Sequence, residues 1–156
     1  MKRKDFLTPA ERSERMSRIR GKNTRCEREM ALLLRRARVR YRGHRPDLPG
    51  KPDFAIERGK VVVFVDGAFW HGRRVEEWRR GLKAFWKEKI SENIRRDQRN
   101  FRRLRRLGWS VVRIWEDDVF RRPSWCLRRI RRAISRSRRR RAGSRARAQA
   151  AGPNIT

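Results

Sequence analysis

At 156 residues the chain is about one domain long, and the absence of a fixed-period repeat excludes a solenoid. Its 47 Lys and Arg against 17 Asp and Glu give a formal charge of +30, well beyond what solubility requires, which points to a polyanionic partner; the plainer source of such an excess is an Arg-rich proteome. The longest apolar run, Val61 to Val65, is far short of the roughly 18 residues a spanning helix needs, so nucleic acid is the expected partner and a membrane is not.

Met1 to Lys4 is basic, but Asp5 to Arg20 lacks the apolar core of a secretory signal, and a cytoplasmic, nucleoid-associated location is expected. Cys26 and Cys126 are too few for a disulfide framework and lack the paired spacing of a zinc knuckle, so both read as reduced thiols.

A first helix is predicted to open at Thr8, where Thr8-Pro9-Ala10-Glu11 combines a capping hydroxyl, a proline at the first helical position and a reciprocal Glu, and to close at Arg20-Gly21. A second starts at Thr24 with Glu27 three residues on, and Met30, Leu33, Leu34 and Ala37 form its apolar stripe. Tyr41 to Pro52, with His44, Pro46, Asp47, Pro49 and Gly50, reads as a loop. Phe54 to Glu57 and Val61 to Val65 read as a hairpin joined by Arg58-Gly59, its second strand buried on both faces.

Leu82 to Arg106 carries a helical stripe (Leu82, Trp86, Ile90, Ile94, Phe101, Leu104) that Asp97 interrupts and Gly108 ends. Trp109 to Trp115 reads as a strand returning to the same sheet, giving the order α, α, β, β, α, β. Leu127, Ile130 and Ile134 can line one more helix. The expected organisation is one domain over 8–134 and an Arg-rich tail over 135–156, predicted to be disordered because its Ala, Gly, Ser and Arg bury too little apolar surface to offset the entropy of ordering.

The most informative segment is Leu48 to Gly72. Asp53 opens one strand and Asp66 ends the next, so a hairpin brings the two carboxylates to one sheet edge. Hard cations such as Mg²⁺ bind through one or two carboxylates plus substrate phosphate oxygens. His71, five residues past Asp66, is within reach of a water attacking that phosphate. Each residue also has a plainer role: Asp53 after Pro52 and Asp66 before Gly67 as turn formers, His71 beside Gly72 as a loop histidine. Clustered at strand ends in so basic a chain, they read as a site.

Leu48-Pro49-Gly50-Lys51-Pro52-Asp53, Phe64-Val65-Asp66-Gly67 and Phe69-Trp70-His71-Gly72 resemble, in order and spacing, the signature blocks of the very-short-patch repair (Vsr) endonuclease family. The similarity runs from about Met16 to Glu116. The resemblance implies an α/β, restriction-endonuclease-like core, a small mixed sheet flanked by helices, here with a basic C-terminal tail. It implies an enzyme that nicks one strand of double-stranded DNA beside the T of a G·T mismatch, using Mg²⁺, for which Mn²⁺ can substitute. Asp53 then matches the metal-binding carboxylate, Val65 the residue whose backbone carbonyl is the second protein ligand, and His71 the general base. Asp66 stands where some relatives have a catalytic histidine, and as a carboxylate it can bind metal or orient water. Phe69, Trp70 and Met16 match the residues that insert beside the mispair, a distortion that costs less where the bases are mismatched; for Trp70 core packing is the plainer role. Glu27 matches a glutamate near the site, but Thr24-Arg25-Cys26-Glu27 is equally a capping box that satisfies helix-end amides without any catalysis.

The chain departs from the family in one respect. Relatives hold a structural zinc through Cys and His, and two of the places that carry their cysteines are Ala68 and Asp117 here, so no structural zinc is expected. The resemblance also implies action beside a cytosine methyltransferase and contact with mismatch-repair proteins, with a monomer as the default. Two other functions fit the same residues: a related DNA nuclease without mismatch selectivity, and an Arg-rich nucleic-acid-binding protein whose catalytic site has decayed with the zinc.

Overall fold

Thr24 caps the helix that follows it. Its backbone is extended and its hydroxyl accepts the Glu27 amide at 3.3 Å, which satisfies one of the amides left open at a helix start. The computed structural model describes residues 24–67 and 84–150, so the helix expected from Thr8 lies outside the described residues. Helix α1 (Arg25–Arg36) buries Cys26, Glu27, Met30 and Leu34. The chain then enters the Pro- and Gly-rich stretch read as a loop. There it adds a short strand, β1 (Arg42–Gly43), antiparallel to β2 (Phe54–Ile56). Two residues flanked by breakers carry too little periodicity to announce a strand.

A 3-10 turn, Glu57–Gly59, leads into β3 (Val61–Asp66), which pairs antiparallel with β2, so the hairpin is present. Helix α2 (Ala84–Arg106) crosses over to β4 (Ser110–Trp115), which pairs parallel with β3 in the sheet order β1-β2-β3-β4. The helix runs unbroken through Asp97, which is buried and faces Arg113 of β4. A carboxylate in an apolar stripe resembles a break, and its tertiary partner makes it a core position. Gly108, at φ +79°, ends the turn after α2, as its place in the sequence predicts.

Two further helices complete the fold: α3 (Glu116–Arg121), which the sequence did not announce, and α4 (Pro123–Ala150). Helix α4 continues well past Ser135, where the tail was expected to lose order. Ala and Arg are strong helix formers, and Ser137 is buried, so the docked part runs a turn further than the apolar stripe suggested.

Alternation along β2 and β3 divides the core in two. Phe54, Ile56, Val61 and Val63 join Val112, Ile114, Met30, Leu34 and Ile130 on the α1/α4 face. Ala55, Val62 and Phe64 join Leu104 and Trp109 on the α2 face. β3 is therefore buried on both faces, as its unbroken apolar run predicted. The result is an α/β architecture, a small mixed sheet flanked by helices, consistent with a restriction-endonuclease-like core. No described helix is long and apolar enough to cross a membrane.

Candidate active site

The register of the hairpin places the first site residue. Phe54 is the first residue of β2 and lies opposite Val63, so the end of β3 runs past the strand that pairs with it. Asp53 fills that gap with its side chain: Oδ2 accepts the Val65 amide at 2.7 Å. Its neighbours come from two other parts of the chain. Glu27 arrives from the first turn of α1, held there by the Thr24 hydroxyl, which donates to its Oε1 at 2.9 Å. His44 comes from the loop after β1; its amide donates to the Asp53 carbonyl at 3.0 Å, and its own backbone is left-handed at φ 45°.

These contacts bring three potential ligands together. His44 Nε2 lies 3.5 Å from Glu27 Oε2, and one atom each of Glu27, His44 and Asp53 lies within 4.8 Å of the others. The Asp53 carboxyl is pushed up to about 7, above all by burial and further by the charges of Glu27 and Asp66, while the Val65 amide pulls the other way. The site is thus short of positive charge. Oxygen donors with one imidazole and an elevated proton affinity suit a hard or borderline divalent cation, which would supply that charge.

Asp66 stands beside this cluster without joining it. Arg113 donates through Nε to Asp66 Oδ2 at 2.6 Å and through a terminal nitrogen to Asp97 Oδ2 at 2.5 Å. The guanidinium lies 4.8 Å from the Trp115 ring and 5.2 Å from that of Phe101. Asp66 therefore sits in an ion-pair network that ties β3, β4 and α2 together, close enough to Asp53 to raise its proton affinity.

Of the residues singled out from the sequence, Glu27, Asp53, Val65 and Asp66 meet at one end of the sheet. Met16, Phe69, Trp70 and His71 lie outside the described residues, as does Ala68, while Asp117 is in the first turn of α3. His44 is the residue that sequence reasoning passed over as part of a loop. The available signal was that it is one of only two histidines, nine residues before Asp53.

Residues 4–77 match the family model described as DNA mismatch endonuclease Vsr. The type II nicking enzyme V.NmeDIP of Neisseria meningitidis serogroup C is 39% identical over 133 residues, covering 83% of this chain and 90% of the relative. The type II nicking enzyme V.XorIIP of Xanthomonas oryzae pv. oryzae is 40% identical over 117 residues, 74% of this chain and 86% of the relative. The DNA mismatch endonuclease Vsr of Escherichia coli K12 is 37% identical over 114 residues, 72% of this chain and 73% of the relative.

Proposed function

This chain belongs to the Vsr family of DNA endonucleases, and from that premise we propose that it nicks one strand of duplex DNA beside the T of a G·T mispair, in very-short-patch repair. The observation that carries the reading is the meeting of Asp53, Glu27 and His44 at the sheet end, with Asp53 short of compensating charge. Asp53 and the Val65 carbonyl would hold Mg²⁺, or Mn²⁺ in its place, which would supply positive charge to polarise the scissile phosphate and to make water more acidic.

The protein's own groups do the rest. Asp53 is fixed for its task by the Val65 amide, which orients one carboxylate oxygen. Glu27, and His44 beside it, border the same space, where they hydrogen-bond a water and set its direction. His71 takes the proton from that water as general base. Asp66, oriented by Arg113, acts on water from the flank. Phe69, Trp70 and Met16 insert beside the mispair, and Lys and Arg side chains grip the backbone on either side. The endonuclease acts as a monomer without structural zinc, works in the cytoplasm at the nucleoid, and contacts mismatch-repair proteins.

The test is a labelled duplex with one G·T mispair beside its fully paired control, with Mg²⁺ and with EDTA. Metal-dependent cutting of the T strand alone is expected. Equal cutting of the paired control would replace this reading with a nuclease lacking mismatch selectivity, and intact DNA despite binding would replace it with a binding protein.

A further inference from the structure

The carboxylates and the C-terminal part of the arginine-rich helix α4 lie at opposite ends of the sheet. Asp53, Val65, Asp66 and Trp115 mark one end, whereas Ile56, the Glu57–Gly59 turn, Val61 and Ser110 mark the other. Five residues of β3 separate the two levels, roughly 17 Å at about 3.3 Å per residue. Helix α4 runs back along the sheet from the end of β4 and crosses the far edge at Ile134. A Cβ on Gly59 would stand 3.1 Å from the Ile134 side chain and 3.4 Å from its Cα, so the helix rests directly on the turn.

Beyond that point α4 has outrun the sheet. Ser137 is its last buried residue among those whose burial is described, and the 13 residues from Arg138 to Ala150 carry it on by roughly 20 Å at about 1.5 Å per residue. Arg138, Arg139, Arg140 and Arg141 are all exposed, and the sequence contains no Asp or Glu after Asp118. Two clefts flank them. One, of about 710 Å³, is lined by Arg38, Arg40, Arg58 and Arg138; the other, of about 510 Å³, by Arg105, Arg140 and Arg141. Glu57, the acid on the first cleft, is already paired with Arg45. No ion pair among the described residues engages Arg58, Arg105, Arg138, Arg140 or Arg141.

Like charges three and four residues apart weaken a helix, so this stretch of α4 is stabilised by whatever neutralises it. Past Ser137 it carries Arg, Ala, Gly, Ser and Gln, with no large apolar side chain to enter a lipid surface. We propose that Arg138, Arg139, Arg140 and Arg141 of α4, with Arg38, Arg40, Arg58 and Arg105, form a second docking surface for the backbone of duplex DNA, separate from the active site. The surface takes a second segment of DNA, at the end of the sheet away from the carboxylates. The surface holds the enzyme on DNA and leaves the catalytic end free to sample mispairs.

The proposal rests on the reading of this chain as a DNA enzyme, but its test does not depend on cleavage. Binding is measured in EDTA for the wild type and for the variant Arg138→Gln/Arg139→Gln/Arg140→Gln/Arg141→Gln, which keeps helix propensity and removes charge. With short duplexes of about 12 base pairs, roughly one helical turn, the wild type is expected to bind two and the variant one. On a long duplex the log–log salt slope of the variant is expected to fall by up to about 3.6, from counterion release at roughly 0.9 per phosphate contact for four arginines. The matching quadruple Arg→Lys variant is expected to restore both, because a phosphate contact of this kind needs charge alone. An unchanged stoichiometry and slope would overturn the proposal. So would a parallel loss of the first duplex, which would place α4 on the same DNA as the active site, or equal binding to vesicles of anionic lipid. Nicking of the short mismatched duplex is measured separately and is expected to be unchanged; no nicking by either protein would count against the proposed catalytic function and leave the binding comparison intact.

Discussion

Val65 donates its amide to Asp53 across 2.7 Å, and still the Asp53 carboxyl titrates near 7. Burial and the neighbouring Glu27 and Asp66 charges outweigh that hydrogen bond. An unfolded Asp titrates at about 3.9. Between those values the native state holds a proton that the unfolded state has released, so stability falls as pH rises from about 4 to about 7 and is level above. At about 1.4 kcal/mol per unit the loss is a few kcal/mol. Asp53→Asn is expected to remove this dependence, so that in EDTA the variant melts above the wild type at pH 8 and close to it below pH 4. Mg²⁺ is expected to raise the wild-type melting temperature at pH 8 and not that of the variant, which no longer nicks. Thermal denaturation at the two pH values checks this; the same pH dependence in both proteins would place the titration elsewhere.

Glu27 has two separable duties. It belongs to the cap of α1, through its amide and its Oε1 contact with Thr24, and it borders the site, through Oε2 facing His44. Gln keeps the cap, since its amide oxygen still accepts the Thr24 hydroxyl, but it lacks the negative charge. Glu27→Gln is expected to change stability little, to abolish nicking, and to bring the Asp53 carboxyl back toward its usual range. Thr24→Ala does the converse, with a cost of about 1 kcal/mol in stability and most activity retained. Melting curves beside single-turnover nicking rates distinguish the two duties, and full activity in Glu27→Gln would leave only the cap.

Arg113 holds Asp66 and Asp97 together from between two aromatic rings, with all three charged groups largely withdrawn from water. Removing one partner of a buried ion pair leaves an uncompensated charge and costs about 3–5 kcal/mol. Arg113→Met is expected to destabilise by that order. Adding Asp66→Asn and Asp97→Asn to Arg113→Met is expected to recover much of the loss, because neutral amides tolerate burial better. Arg113→Lys is expected to be poorly tolerated too, since an ammonium cannot bridge two carboxylates in one plane or stack as a guanidinium does. Denaturant titration of the four proteins checks the order.

Periodicity carried the parts of this fold that are made of repeated contacts. The cap at Thr24, the doubly buried β3 and the return strand β4 follow from apolar spacing and from capping residues that act within a turn of where they stand. The pairing of Asp53 with the end of β3 was also legible, since an antiparallel hairpin fixes which residues meet. Contacts made across the chain were not. His44 reaches Glu27 only because β1 pairs with β2 and turns the following loop toward α1, and nothing local distinguishes it from a loop histidine. Asp97 looked like an interruption because its partner lies 16 residues away on a strand. The long α4 was undervalued for a related reason: composition measures what a segment can bury, and a helix of Ala and Arg is favoured by its backbone.

Gly50 shows why the turn before Asp53 needs a glycine. Its φ is +78°, and a Cβ there would stand 3.2 Å from Asn100 of α2 and 3.3 Å from the Phe64 ring of β3. The loop carrying His44 and Asp53 is thus pressed against two elements at its narrowest point. Gly50→Ala combines a strained backbone with a steric overlap and is expected to cost about 1–3 kcal/mol. At about 2–4 °C per kcal/mol for a chain of this size, that lowers the melting temperature by roughly 2–12 °C. Asn100→Gly in the same protein removes one of the two contacts and leaves the φ strain, so it is expected to restore part of the loss once its own cost as a helix glycine, about 1 kcal/mol, is subtracted. Nicking is expected to fall further than stability alone explains, because the same loop sets His44 and Asp53 with respect to Glu27. Rates compared at a temperature where both proteins are fully folded check this, and wild-type rates in Gly50→Ala would mean that the site tolerates displacement of the loop.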